Sequence, residues 1–117
     1  MLTLGITTRV YFALEPIDAR KSFDTLAAVV TQSLGRDPLS GDLFVFLNKR
    51  RNHLKILAWN GDGFIILMKR LQQGTFTLPV GDTRDLTLTP TQLAMILGGI
   101  DLADTRSRKR FALPKTS

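Results

Sequence analysis

An α+β domain is what this sequence predicts: an antiparallel β-sheet, a meander of about five to six strands, with two helices packed against one face. Three observations carry the prediction. The chain of 117 residues, 44% hydrophobic and 22% charged, is the size and composition of one globular unit. Apolar residues change period along it, from a β-branched run to helical spacing, then to three strand-like runs, then back to helical spacing. Finally, Asn60-Gly61-Asp62-Gly63 separates two of those runs with the residue pair that tight hairpins favour, because Asn-Gly readily takes positive φ.

The elements follow in order. Residues 9–14 (RVYFAL) form a first strand, ended by Glu15-Pro16, since proline has no N–H for a sheet ladder. Ser22 is placed to cap a helix over residues 23–34, where Phe23, Leu26, Ala27, Val30 and Leu34 recur at helical spacing before Gly35. Residues 36–42 (RDPLSGD) are a loop of turn formers. LFVFL, LKILAW and FIILMK then read as the meander, with NKRRNH at its first turn. A shorter strand pair is expected from Thr75–Leu78 and Leu86–Leu88. Thr89 caps a last short helix with Pro90 in its first turn, where a missing N–H costs nothing, and Gly98-Gly99 stop it. Residues 1–104 are read as the single domain and residues 105–117 as a basic, solvated tail.

Composition excludes several function classes. With no cysteine, the chain has no disulfide, thiolate metal site, iron–sulfur cluster or cysteine nucleophile, which suits a reducing cytosol. Its single histidine, His53, has neither a cysteine nor another histidine with which to share a metal, so no metal and no cofactor is expected. No secretory leader is recognisable, and no apolar run approaches the roughly 18 residues of a membrane span. A cytoplasmic location is the expectation.

Charge is unevenly distributed. The net +6 comes from 16 Lys and Arg against 10 Asp and Glu, yet Arg106, Arg108, Lys109, Arg110 and Lys115 fall in the acid-free tail, leaving 11 cations against 10 anions elsewhere. Within that nearly neutral body, residues 48–60 hold Lys49, Arg50, Arg51 and Lys55 with no acid. A protruding basic turn is suited to clamp phosphates, which positions a protein on DNA without reading sequence. Lys49, Arg50, Arg51 and Lys55 are therefore the first candidates for nucleic-acid contact, with Asn48 and Asn52 beside them for hydrogen bonds. Arg106, Arg108, Lys109 and Arg110 are candidates for a second, mobile arm, and the pairs Arg20-Lys21 and Lys69-Arg70 for secondary contacts. The plainer alternative is that charged hairpin tips and termini serve solubility.

Other residue types point to packing. Trp59, Phe44, Phe46 and Phe64 sit on strands, where aromatic side chains are mostly core or cross-strand partners. The carboxylates Asp18, Asp24, Asp37, Asp42 and Asp62 lie at or near turns, where aspartate is expected for local hydrogen bonding, and form no pattern for two-metal phosphoryl transfer. Gly61 and Gly63 are followed by no lysine in a phosphate-loop register. The expectation is a protein that is not an enzyme.

The strings DARKSFDTLA (18–27), LGRDPLSGDLFVF (34–46) and LKILAWNGDGF (54–64), continued by KRL (69–71), GTF (74–76) and LTPTQLA (88–94), resemble the TnpB (Orf2-like) accessory protein of bacterial insertion sequences of the IS66 type, over roughly residues 8–101. RNA-guided nucleases that share that name are far longer, carry an acidic catalytic triad on another fold, and are not resembled. The resemblance implies a cytoplasmic protein encoded beside a larger transposase and serving transposition, with DNA, the cognate transposase or another accessory subunit as partners. Docking onto the transposase without direct DNA contact is the alternative to DNA binding. Ala19 and Ser22 stand where the family tends to place Met and Gly, and the tail beyond residue 104 lies outside the resemblance.

Overall fold

The run VYFA offers no polar residue to turn toward solvent, and it forms strand β1 (Val10–Ala13) with all four residues buried. The computed structural model describes residues 8–77 and 85–98. After β1 come α1 (Phe23–Gln32), β2 (Leu43–Leu47), β3 (His53–Trp59), β4 (Phe64–Arg70), β5 (Asp85–Leu88) and α2 (Pro90–Gly98). The strands form one sheet in the order β4-β3-β2-β1-β5.

The predicted meander is present as β2-β3-β4, antiparallel throughout, with Phe44 opposite Leu57 and Leu57 opposite Ile66. At its second turn the Asn60 N–H donates to the Gly63 carbonyl (3.0 Å), and Gly61 takes φ +104°, a conformation a side chain would strain. The remainder of the sheet departs from a wholly antiparallel one. β1 lies parallel to β2, with Tyr11 opposite Phe44, because α1 carries the chain back across the sheet between them, as a parallel pair requires. β5 then returns antiparallel on the far side of β1, with Tyr11 opposite Thr87. Residues 75–77, expected in a strand paired with β5, are in none, and Leu78 lies outside the described residues.

Both faces of the sheet are covered, where one was expected. Tyr11, Ala13, Phe44, Phe46 and Leu57 face Leu26 and Val30 of α1. Val10, Phe12, Leu43, Val45, Leu47, Leu54, Ile56 and Ala58 face Leu93 and Ile96 of α2, together with Phe76. Continuous apolar strands are the cause: β1 and β2 have no polar side to give to water, so a single layer of helices leaves half of each unburied. Burial of Phe12, Phe44, Phe46 and Phe76 contributes roughly 1.5–3 kcal/mol each.

Helix α1 begins at Ser22 as expected, but its hydroxyl makes no capping bond; the Ser22 carbonyl accepts the Leu26 N–H (2.9 Å). Helix α2 has a reciprocal capping box, in which Thr89 Oγ1 accepts the Gln92 N–H (3.1 Å) and Gln92 Oε1 accepts the Thr89 N–H (2.9 Å). Among the described residues no helix is long and apolar enough to cross a membrane.

Candidate nucleic-acid interface

The basic turn between β2 and β3 is braced by its own asparagines. Asn48 Oδ1 accepts the N–H groups of Asn52 (3.0 Å) and His53 (2.9 Å), and Asn48 Nδ2 donates to Asn52 Oδ1 (2.7 Å). The Arg51 N–H closes the turn onto the Asn48 carbonyl (3.0 Å). Outside support comes from the segment after β4: the Leu71 N–H donates to the Asn52 carbonyl (2.8 Å) and the Phe76 N–H to the Arg51 carbonyl (2.7 Å), with the Phe76 ring buried in the core on the α2 side. Lys49, Arg50 and Arg51 thus stand exposed on a backbone whose polar groups are largely occupied. The same bonds engage Asn48 and Asn52, which the sequence left open for a ligand.

Arg51 itself sits at φ +60°, a left-handed conformation that costs a residue with a Cβ about 1–2 kcal/mol. Tight turns usually place a glycine or an asparagine in such a conformation. Here an arginine occupies it, so the position carries a cation at a cost in backbone strain.

The other sequence-predicted cations separate into distinct environments. Lys55 is buried at 8% exposure, and its ammonium donates to the Lys21 carbonyl on the α1 side of the sheet, which sets it apart from the three exposed cations of the turn. Lys21, exposed, is held by that bond beside β3. Arg20 forms an ion pair with Asp18 at 2.8 Å. The Arg20 hydrogen bonds hold the Asp18 carboxyl well below the usual carboxylate range, and the same contact raises the Arg20 guanidinium.

Lys69 and Arg70 lie opposite Leu54 and His53, so as successive strand residues they point to opposite faces. Lys69 donates to the Leu97 carbonyl (2.7 Å) near the C-terminus of α2, where a cation offsets the helix dipole. Arg70 is exposed on the α1 side beside His53, whose Nδ1 is buried without a hydrogen-bond partner. Arg106, Arg108, Lys109 and Arg110 lie outside the described residues, as does the rest of the expected tail.

Besides Asp18, two more of the five expected carboxylates are taken up by local hydrogen bonds. Asp37 accepts the Leu39 N–H (2.9 Å), and Asp42 accepts the Arg9 N–H (3.1 Å) and the Ser40 hydroxyl (2.9 Å). Among the described residues no three of His, Asp and Glu gather as a metal site. Asp42 and Arg9 mark the end of the sheet remote from the basic turn, because β1 and β2 run parallel and Leu43 there donates to the Arg9 carbonyl (2.9 Å). At that end Arg36 lies over the Tyr11 ring at 3.8 Å, a cation–π contact, and hydrogen bonding to Tyr11 raises the Arg9 guanidinium, with Asp42 adding to it.

Sequence reasoning overlooked Asn48 as the brace of the turn and Phe76 as its buttress. The first is visible in the Asn-x-x-x-Asn spacing, since asparagine side chains bond backbone groups a few residues on. The second has no local signal, because it is a contact between distant segments.

Comparison with known proteins places the chain. A family model described as IS66 Orf2-like protein matches residues 8–107. Among curated proteins, the chain is similar to the uncharacterized protein y4hO of Sinorhizobium fredii, 37% identical over 101 residues that cover 86% of this chain and 88% of that one. It is also similar to the uncharacterized protein y4jC of the same organism, 34% identical over 93 residues and 80% of each chain. No solved structure matches it. With its described sheet and both helices inside the matched span, the chain belongs to the IS66 Orf2-like family, and its role is that of an insertion-sequence accessory protein.

Proposed function

We propose that the protein serves transposition as a non-catalytic DNA-associated factor, holding the phosphate backbone with Lys49, Arg50 and Arg51. The observation that carries this reading is the braced turn: three exposed cations, no acid among residues 48–60, and a backbone fixed by Asn48, Leu71 and Phe76. Fixing the turn before contact lowers the ordering cost that flexible side-chain carriers incur on binding. Arg70 and Lys21 extend the surface at the same end of the sheet. Lys55 supports it from within, Lys69 is engaged by the Leu97 carbonyl on the α2 side, and Arg20 contributes less because Asp18 already neutralises it. The basic residues Arg106, Arg108, Lys109 and Arg110 act as a second arm.

Titration of duplex DNA at several salt concentrations tests the proposal. Changing Lys49 and Arg50 to alanine and Arg51 to glycine removes three phosphate contacts and reduces the log–log salt slope by roughly 2 to 3. Absence of binding at low salt, or affinity indifferent to these changes, overturns it. Capture of the cognate transposase by a variant lacking both basic clusters, with no DNA binding by the wild type, establishes docking in its place.

A further inference from the structure

Among the described residues, strand β4 ends the sheet: it pairs with β3 over seven residues and with no other strand. Such edges are usually blunted by proline, a bulge or inward charge. β4 (FIILMKR) has no proline, pairs residue for residue with β3, and carries its cations only at its last two positions. Its centre instead presents Leu67 at 47% exposure on the α2 side and Met68 at 58% on the α1 side, two of the large apolar side chains most open to water.

The sequence of β4 is complementary to itself in one direction. Antiparallel pairing centred on Leu67 sets Leu67 against Leu67, Ile66 against Met68, Ile65 against Lys69 and Phe64 against Arg70. Every cation then faces an apolar or aromatic residue, and the guanidinium of Arg70 meets the ring of Phe64. Parallel pairing in register stacks Lys69 on Lys69 and Arg70 on Arg70, which like-charge repulsion disfavours. The other edge, β5, has four residues and begins with Asp85.

We propose that β4 is the docking surface for a second copy of this chain, joined antiparallel about Leu67 into a two-fold dimer with one continuous sheet. Isologous two-fold contacts are the commonest closed arrangement, and edge addition supplies main-chain hydrogen bonds while exposed side chains fix the register. The dimer also sets the two basic turns at opposite ends of the shared strand pair, since each turn lies at the Arg70 end of its own β4.

Light scattering during size exclusion and sedimentation equilibrium of the full chain test this, without DNA. The wild type is expected to be dimeric at micromolar concentration. Leu67→Lys sets two ammonium groups against each other at the two-fold and raises the dimer dissociation constant about tenfold or more, with circular dichroism and melting of the monomer unchanged. Because the chain lacks cysteine, Leu67→Cys gives a register test: under mild oxidation it forms an intermolecular disulfide, since directly opposed strand residues lie within disulfide reach, whereas Gln73→Cys does not. A monomeric wild type overturns the proposal. So does a Leu67→Lys variant that remains dimeric, or crosslinking at residue 73 as fast as at residue 67. DNA binding by a monomer leaves the functional reading intact while removing this one.

Discussion

The ammonium of Lys55, in the middle of β3, donates to the carbonyl of Lys21, the second residue before α1. A charged side chain thereby joins the sheet to the entry of the helix that covers it. The alkyl stem of Lys55 packs beside apolar strand neighbours while its head meets a backbone acceptor, as long cationic side chains do at the margin of a core. Lys55→Ala is expected to destabilise the fold by about 1–3 kcal/mol in urea denaturation. Lys55→Met restores the stem and recovers part of that loss. Neither variant changes the salt slope of DNA binding; a change equal to one phosphate contact shows that the side chain reaches solvent.

Arg51→Gly separates charge from fold. It removes a cation and relieves the positive φ, so it raises stability by about 0.5–1 kcal/mol while weakening DNA binding. Paired denaturation and binding curves check both signs. Lower stability shows that the arginine side chain, rather than the backbone, governs the position.

Asn48→Ala breaks three side-chain hydrogen bonds at the turn and is expected to cost roughly 1–3 kcal/mol. DNA affinity falls although no charge is lost, because the turn must then be ordered on binding. Amide hydrogen exchange at residues 49–53 should accelerate. Protection equal to the wild type means the turn is held by Leu71 and Phe76 alone.

The Arg20–Asp18 pair gives a pH test. The Asp18 carboxyl is depressed in the folded chain, so its contribution is fully present above the ordinary aspartate range and declines as pH falls toward the folded value. Asp18→Asn should therefore melt slightly below the wild type at neutral pH and match it in strong acid. A difference that persists in acid assigns the effect to the Asp18 Oδ1 bond with the Arg20 N–H rather than to the charge.

Much of this architecture was legible from local chemistry. The Asn60-Gly61 hairpin, the β2-β3-β4 meander and the Thr89 cap each depend on residues close in sequence, and each formed as read. The parallel β1–β2 pair and the second helical layer depend on long-range packing. Their traces were present, in the strand–helix–strand order and in the unbroken apolar runs VYFA and LFVFL, but an emphasis on the meander hid them. At the candidate interface, linear charge density located the turn. It could not distinguish exposed Arg50 from buried Lys55, because the sheet's pleat decides which cation faces the helix.

The neighbour relation between β1 and β5 has a consequence for biosynthesis. Val10 lies opposite Leu88, so β1 leaves the ribosome well before the strand that completes its pairing. During that interval Val10 and Phe12, each wholly enclosed in the finished molecule, have a vacant lane beside them. A nascent chain halted before residue 85 is therefore expected to aggregate more readily than the finished one.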